Sequence, residues 1–474
     1  MEEVISIMGE QLLREIISRV KKSKYYSISL DSTPDAAHID QLTLVLRYME
    51  KDSPVERFVT FMANKGHGAE DMFNALREFL NTYDLDLGNC RGQSYDNASA
   101  MSGRYNGLQA KVREKNNLAS WIPCTAHSLN LVGKNAVECC SSAVHFFDFL
   151  EKLFVFFTIS THRYQLLDEA LKKSDSSLTL KRVTTTRWSC RADATKALKH
   201  NYEQIKEVLK HIVDDIEEKK CVRCEAEGLL KQMNQLETGI YTTFWNDILQ
   251  RTDATNKTLQ HAKLDLNTAV ASLTSLKEYV ASKRDSFHTY EKEGEQLSQS
   301  GSAYKAVESR QKRRNVRLNP LDYGHAEEVQ LSPSEKYRTQ TFLPIIDQFV
   351  SSLGQRLEAY KQISSKFSFF RHLQRLSSDE LCDAAEQLIR SYPDDLDITF
   401  KEELCQFVTF ANIFTDEEPT DVSTELFLYR LVLDKGVQDT FQIIEIALRI
   451  YLVLMVTNCS GERSFSKLKL IENR

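Results

Sequence analysis

The 474-residue chain has no apolar run long enough to cross a bilayer. Its most apolar stretch, Ile443 to Val456, is short and carries Glu445 and Arg449, so no membrane segment is expected. No secretory signal opens the sequence, and its ten cysteines are spread thinly from Cys90 to Cys459. That usage excludes a disulfide framework and reads as reduced thiols of the cytosol or nucleus. Excess positive charge is missing too: 61 basic against 67 acidic side chains leave a net charge of −6. Broad, non-specific nucleic-acid binding is disfavoured, so any DNA contact must come from local basic patches. No internal repeat is evident. What remains is a chain of ordinary apolar content, 42%, long enough for two or three domains with full cores.

Residues 2 to 20 place Val4, Ile5, Ile7, Met8, Leu12, Leu13, Ile16, Ile17 and Val20 at helical spacing, predicting an amphipathic helix over a sheet face. A β-prone run from Lys24 then ends on Asp31, which puts one carboxylate at the C-terminal edge of a strand, where open α/β sheets carry their chemistry. After a turn-rich stretch with Pro34, Gln41 to Met49 and Pro54 to Met62 complete a predicted meander. A helix from about Ala69 to Tyr83 leads to a short strand that begins at Cys90 and ends on a second acid, Asp96. A helix over 98–115 and a short strand at Trp121 running into the helix of Cys124 to His127 close the series. The order βββαβαβα is that of an RNase H-like core, whose first and fourth strands lie side by side and bring Asp31 towards Asp96.

From about Ser128 to Asp439 strand signals nearly vanish and helical periodicity dominates. The expectation is an α/β RNase H-like core with a mixed sheet, interrupted by a large all-α insertion. An N-terminal helix occupies 1–23, the first part of the core 24–130 and the insertion 131–439, with a mobile loop at about 291–336 where Ser, Gly, Glu, Gln and Arg prevail. Residues 440–474 supply the last part of the core, with Ser460 as a cap for a helix carrying Glu462 in its first turn.

The strings Asp31-Ser-Thr, Gly92-Gln-Ser-Tyr-Asp96-Asn-Ala, Cys124-Thr-Ala-His127, Thr186-Arg-Trp188 and Ser460-Gly-Glu462-Arg-Ser-Phe, in that order, resemble the hAT superfamily of DNA transposases, most nearly its zinc finger MYM-type branch. The resemblance implies an acidic triad of Asp31, Asp96 and Glu462, a base-stacking role for Trp188, and a place near the active centre for Cys124 and His127. It also implies DNA as substrate, a homodimer or higher oligomer, a nuclear location, and a truncated dimerisation segment within 440–474. Three carboxylates in one cleft repel one another unless cations neutralise them, and hard divalent ions with oxygen ligands do so, here Mg²⁺ or Mn²⁺. Two such ions would support hydrolysis and strand transfer alike.

Each residue also has a plain reading. An Asp before Ser-Thr or Asn-Ala caps a turn, and a Glu in a first helical turn is a favourable charge. Cys124 and His127 could contribute to a zinc site only with two further ligands, so packing is preferred. Cys221-x-x-Cys224 is a pair without a partner pair. Trp188 serves equally as a core ring or as a stacking platform flanked by Lys181, Arg182, Arg187 and Arg191. Residues 301–320 hold six basic side chains against Glu308, a phosphate-contacting, nuclear-import or merely solvated loop. A domesticated, non-catalytic nuclear protein acting through partners is the competing function.

Overall fold

A computed structural model describes residues 2–34, 40–63, 66, 68–173, 178–183, 188–261, 264–299, 304, 331–414 and 422–472. The chain divides into two compact units. One comprises Met1–Leu129, Thr255–Ser275 and Gly354–Arg474, the other Asn130–Ala254 and Leu276–Leu353. The stretch expected as one insertion over 131–439 is therefore shared out, because 255–275 and 354–439 pack within the sheet-bearing unit. The described residues are mostly helical, with one mixed sheet of five strands among them.

In the sheet-bearing unit, helix α1 (Glu2–Ser23) precedes β1 (Tyr26–Pro34), β2 (Asp40–Glu50) and β3 (Ser53–Ala63). Helix α2 (Ala69–Thr82), β4 (Cys90–Ser94), α3 (Ser99–Ser102), α4 (Leu108–Lys115), β5 (Ser120–Trp121) and α5 (Thr125–Glu138) follow. The sheet order is β3-β2-β1-β4-β5, antiparallel through the first three strands and parallel from β1 to β4 and β5. Side chains alternate along β1. Ile28 and Leu30 enter a core with Leu44, Leu46, Met72, Phe73 and Leu76, each buried side chain contributing about 1.5–3 kcal/mol. Ser27, Ser29 and Asp31 occupy the opposite face.

Three expectations need correction. Helix α1 covers the sheet only with its second half: Ile16, Ile17 and Val20 are buried, whereas Val4, Ile5, Ile7, Met8 and Leu12 are exposed. Asp31 does not end its strand, since β1 continues antiparallel to β2 as far as Pro34. Its parallel pairing with β4 stops at Ser29, so the acid still lies just past the C-terminal end of that pair. The loop expected at 291–336 is helical at both ends, Phe287–Ser298 and Pro333–Tyr337, where apolar Phe287, Tyr290 and Phe342 anchor local packing. Its centre, with the six basic residues of 301–320, lies outside the described residues.

Near the C-terminus, helix Gln442–Leu452 stops earlier than its apolar pattern suggests, and 454–458 is irregular and buried. The Arg47 guanidinium of β2 donates to the carbonyl of Leu452 (3.1 Å) and pairs with Glu56 (2.9 Å). That segment delivers the last helix, Cys459–Glu472, onto β1 and β2.

Candidate functional site

The polar face of β1 is where the end of the chain arrives. At Gly92 in β4 a Cβ would fall 2.3 Å from Ser27 Oγ and 3.2 Å from the Leu454 side chain. A side chain at this position would collide with Ser27 and press on Leu454 of the C-terminal segment. Asn458, buried, accepts a hydrogen bond from Ser29 Oγ at 2.6 Å, and its side chain also bonds the Asp31 carboxyl. A Cβ on Gly461 would lie 3.2 Å from Asp31 Cβ and 3.2 Å from Thr43 Oγ1. The first turn of the last helix therefore rests directly on β1 and β2 beside Asp31.

This close approach brings the three predicted acids within one another's electrostatic reach. The Asp31 carboxyl is pushed up to about 7, first by loss of water around it, then by Glu462 and then by Asp96. The Ser32 N–H and Asn458 oppose that rise by bonding the charged form. Asp96, partly exposed, accepts the N–H of Ala98 at 3.0 Å, the turn-capping role expected of an Asp before Asn-Ala. Glu462 is exposed in the first turn of its helix. Among the described residues, no group of three or more His, Cys, Asp or Glu side chains is placed so that it could hold a metal ion as it stands. The donor set itself, three carboxylates with one hard to ionise, suits a hard divalent cation.

Ser460 is not the cap: the helix begins at Cys459, and the Ser460 hydroxyl instead bonds Glu56 and receives Arg463 at 2.7 Å. Cys124 is buried, takes an N–H bond from Asn458 at 3.3 Å and packs on Cys459. A hydrogen bond with Cys124, and then burial, push the Cys459 thiol far up. Thr125 ties the same stretch to the carbonyl of Val456 at 3.1 Å. His127 is half-buried on α5. Cys221 and Cys224 are exposed thiols on helix Lys220–Met233.

The basic and aromatic set lies in the helical unit. Trp188 is a core ring, 5% exposed, with Gly133 close against it and Phe147 and Trp245 at ring distances of 6.2 and 6.3 Å. Of the two roles expected for Trp188, this packing matches that of a core ring. Arg191 lies 4.6 Å over Trp188 and 4.7 Å over Phe147, and burial lowers its pKa. Lys181 and Arg182 are exposed, Arg182 pairing with Glu151 at 3.1 Å. Arg187 lies outside the described residues.

Sequence reasoning missed Asn458 and Ser29. The signal was faint: serines alternating with apolar residues on β1, and one Asn in a linker.

A family model described as ZMYM1/FAM200, RNase-like domain, matches residues 1–107, a span that holds Asp31 and Asp96 but ends before Glu462. The chain is 21% identical over 282 residues to the 52 kDa repressor of the inhibitor of the protein kinase from Homo sapiens, covering 58% of this chain and 37% of that protein. For the Mus musculus protein of the same name the values are 22% over 280 residues, 57% and 36%. The chain thus matches little more than a third of the length of these relatives.

Proposed function

We propose that the chain is a transposase-related protein with an RNase H-like core and a helical insertion, in which Asp31, Asp96 and Glu462 form a divalent-cation site for DNA cleavage and strand transfer. The observation that carries this reading is the delivery of Glu462, from the far end of the chain, to the electrostatic neighbourhood of Asp31. A fold with no use for the arrangement gains nothing from placing two like charges around a poorly hydrated carboxyl.

Asp31, fixed by β1 and oriented by Asn458, is the rigid member. Asp96 and Glu462, both partly or fully open to solvent, are the members able to swing towards it. Together the three would hold Mg²⁺ or Mn²⁺, which when bound would supply activation of a water or a DNA 3′-hydroxyl and neutralisation of charge on the leaving oxygen. DNA as substrate, a nuclear location and self-association belong to the same reading.

A second reading is a domesticated, non-catalytic nuclear protein. It is favoured by the absence, among the described residues, of an acid group ready to hold an ion, and by relatives whose name speaks of repression. Calorimetric titration with Mn²⁺ together with nicking of supercoiled DNA separates the two. The first reading expects binding and nicking that Asp96→Asn abolishes; heat-silent titration with no nicking leaves the second.

A further inference from the structure

Strand β3 ends the sheet on one side, and among the described residues nothing pairs with its outer edge. The edge is not uniformly open. Its start carries Pro54, which offers no N–H, and Ser53 is tied down by Arg430 at 2.7 Å. A register shift then leaves Val59 as a bulge between Phe58 and Thr60, turning Phe58 to the face of Phe61. Beyond the bulge, at Thr60 to Met62, no described strand pairs with the outer edge, and the Thr60 hydroxyl donates to the Phe61 carbonyl at 3.1 Å.

Beside that open half runs a cavity of about 460 Å³ between β3 and α2. Thr60 and Met62 form one wall and Phe79 contributes to its floor. The other wall is a stripe of α2, where Asp71, Asn74 and Glu78 recur at helical spacing. Both carboxylates are exposed, and no basic side chain joins the cavity's lining among the described residues. Glu70, the other acid of that first turn, points elsewhere to Lys111.

We propose that this groove receives an extended, basic segment of a protein partner, added to β3 as a sixth strand. Peptide groups of the partner pair with the free edge at Thr60 to Met62. Its alternate side chains, lysine or arginine, lay their methylene stems over Met62 and Phe79 and their charges against Asp71 and Glu78. The two acids exclude a polyanion such as nucleic acid from the same groove. The blocked first half of the edge limits the added strand to a few residues and disfavours sheet-to-sheet stacking of two copies.

The test is fluorescence anisotropy of the full chain with a fluorescein-labelled peptide of about nine residues alternating valine and lysine, near the usual length of a strand. Binding in the micromolar range is expected, weakened about tenfold or more by replacing the peptide's lysines with glutamates, and likewise by Glu78→Lys or Asp71→Lys in the protein. N-methylation of alternate peptide amides is expected to abolish binding, since it removes the edge hydrogen bonds. Both substituted positions are on the surface, so circular dichroism should show unchanged folding. Absence of binding, equal binding of the glutamate or N-methylated peptide, or indifference to both substitutions overturns the proposal. So does sedimentation showing that two copies already occupy each other's β3 edge.

Discussion

The two units handle a poorly solvated charge in opposite ways. In the helical unit Arg191 is desolvated but lies over the faces of Trp188 and Phe147, whose ring quadrupoles attract a cation. In the sheet-bearing unit Asp31 is desolvated and faces two further acids, with only Asn458 and the Ser32 N–H in support. Neither arrangement is fully relieved: among the described residues Arg191 Nη1 is buried without a hydrogen-bond partner, but its charge meets aromatic faces, whereas that of Asp31 meets like charges. A desolvated charge over aromatic faces regains part of its cost, and one facing like charges does not.

The sharpest way to break this contrast is Trp188→Ala. A buried core ring predicts a loss of about 3–5 kcal/mol in chemical denaturation. A ring kept for base stacking predicts little loss of stability and a large loss of DNA affinity.

Asp31→Asn acts in the other direction. Its carboxyl is raised from 3.8 to about 7 in the folded chain. Between these values the unfolded chain ionises first, so stability falls as pH rises from about 4 to about 7 and stays reduced above that. After discounting for the solvent near the site, removing the charge should stabilise the protein at pH 8 by about 2 kcal/mol and flatten that part of the pH profile. Mn²⁺ should raise the melting temperature of the native chain and leave that of the Asn variant unmoved.

Asn458→Ala sharpens the same point on a smaller scale. It strips Ser29 of an acceptor and Asp31 of a donor, for an expected cost of about 1–2 kcal/mol by urea denaturation, and it moves the pH dependence upward. The smallest effect belongs to Arg182→Ala. Its ion pair with Glu151 is exposed, so stability should change by less than about 0.5 kcal/mol. A measurable loss of DNA affinity in that variant would return the basic patch to the functional account.

The first three strands were legible because their alternation meets a sheet with one apolar and one polar face. Beta-prone composition outlined them and short connections make the meander, whereas the fourth strand beside the first was expected from the RNase H-like order of elements. The irregular run 454–458 was not legible, because its residues are all buried and its apolar stretch Leu454 to Val456 carries no period to separate it from the preceding helix. Val4 to Leu12 show the reverse error: helical spacing fixes a helix but not what covers it.

Composition and periodicity alone determined a reduced-thiol, helix-rich protein with a β-meander at its start and acids at Asp31 and Asp96, since these depend on neighbours a few residues apart. Tertiary structure alone decided that Asn458 and Gly461 meet Asp31, which carries Glu462 into its electrostatic reach, and that Trp188 turns inward onto Gly133. Those are contacts between residues far apart in the chain, chosen by close packing, and local periodicity holds no record of them.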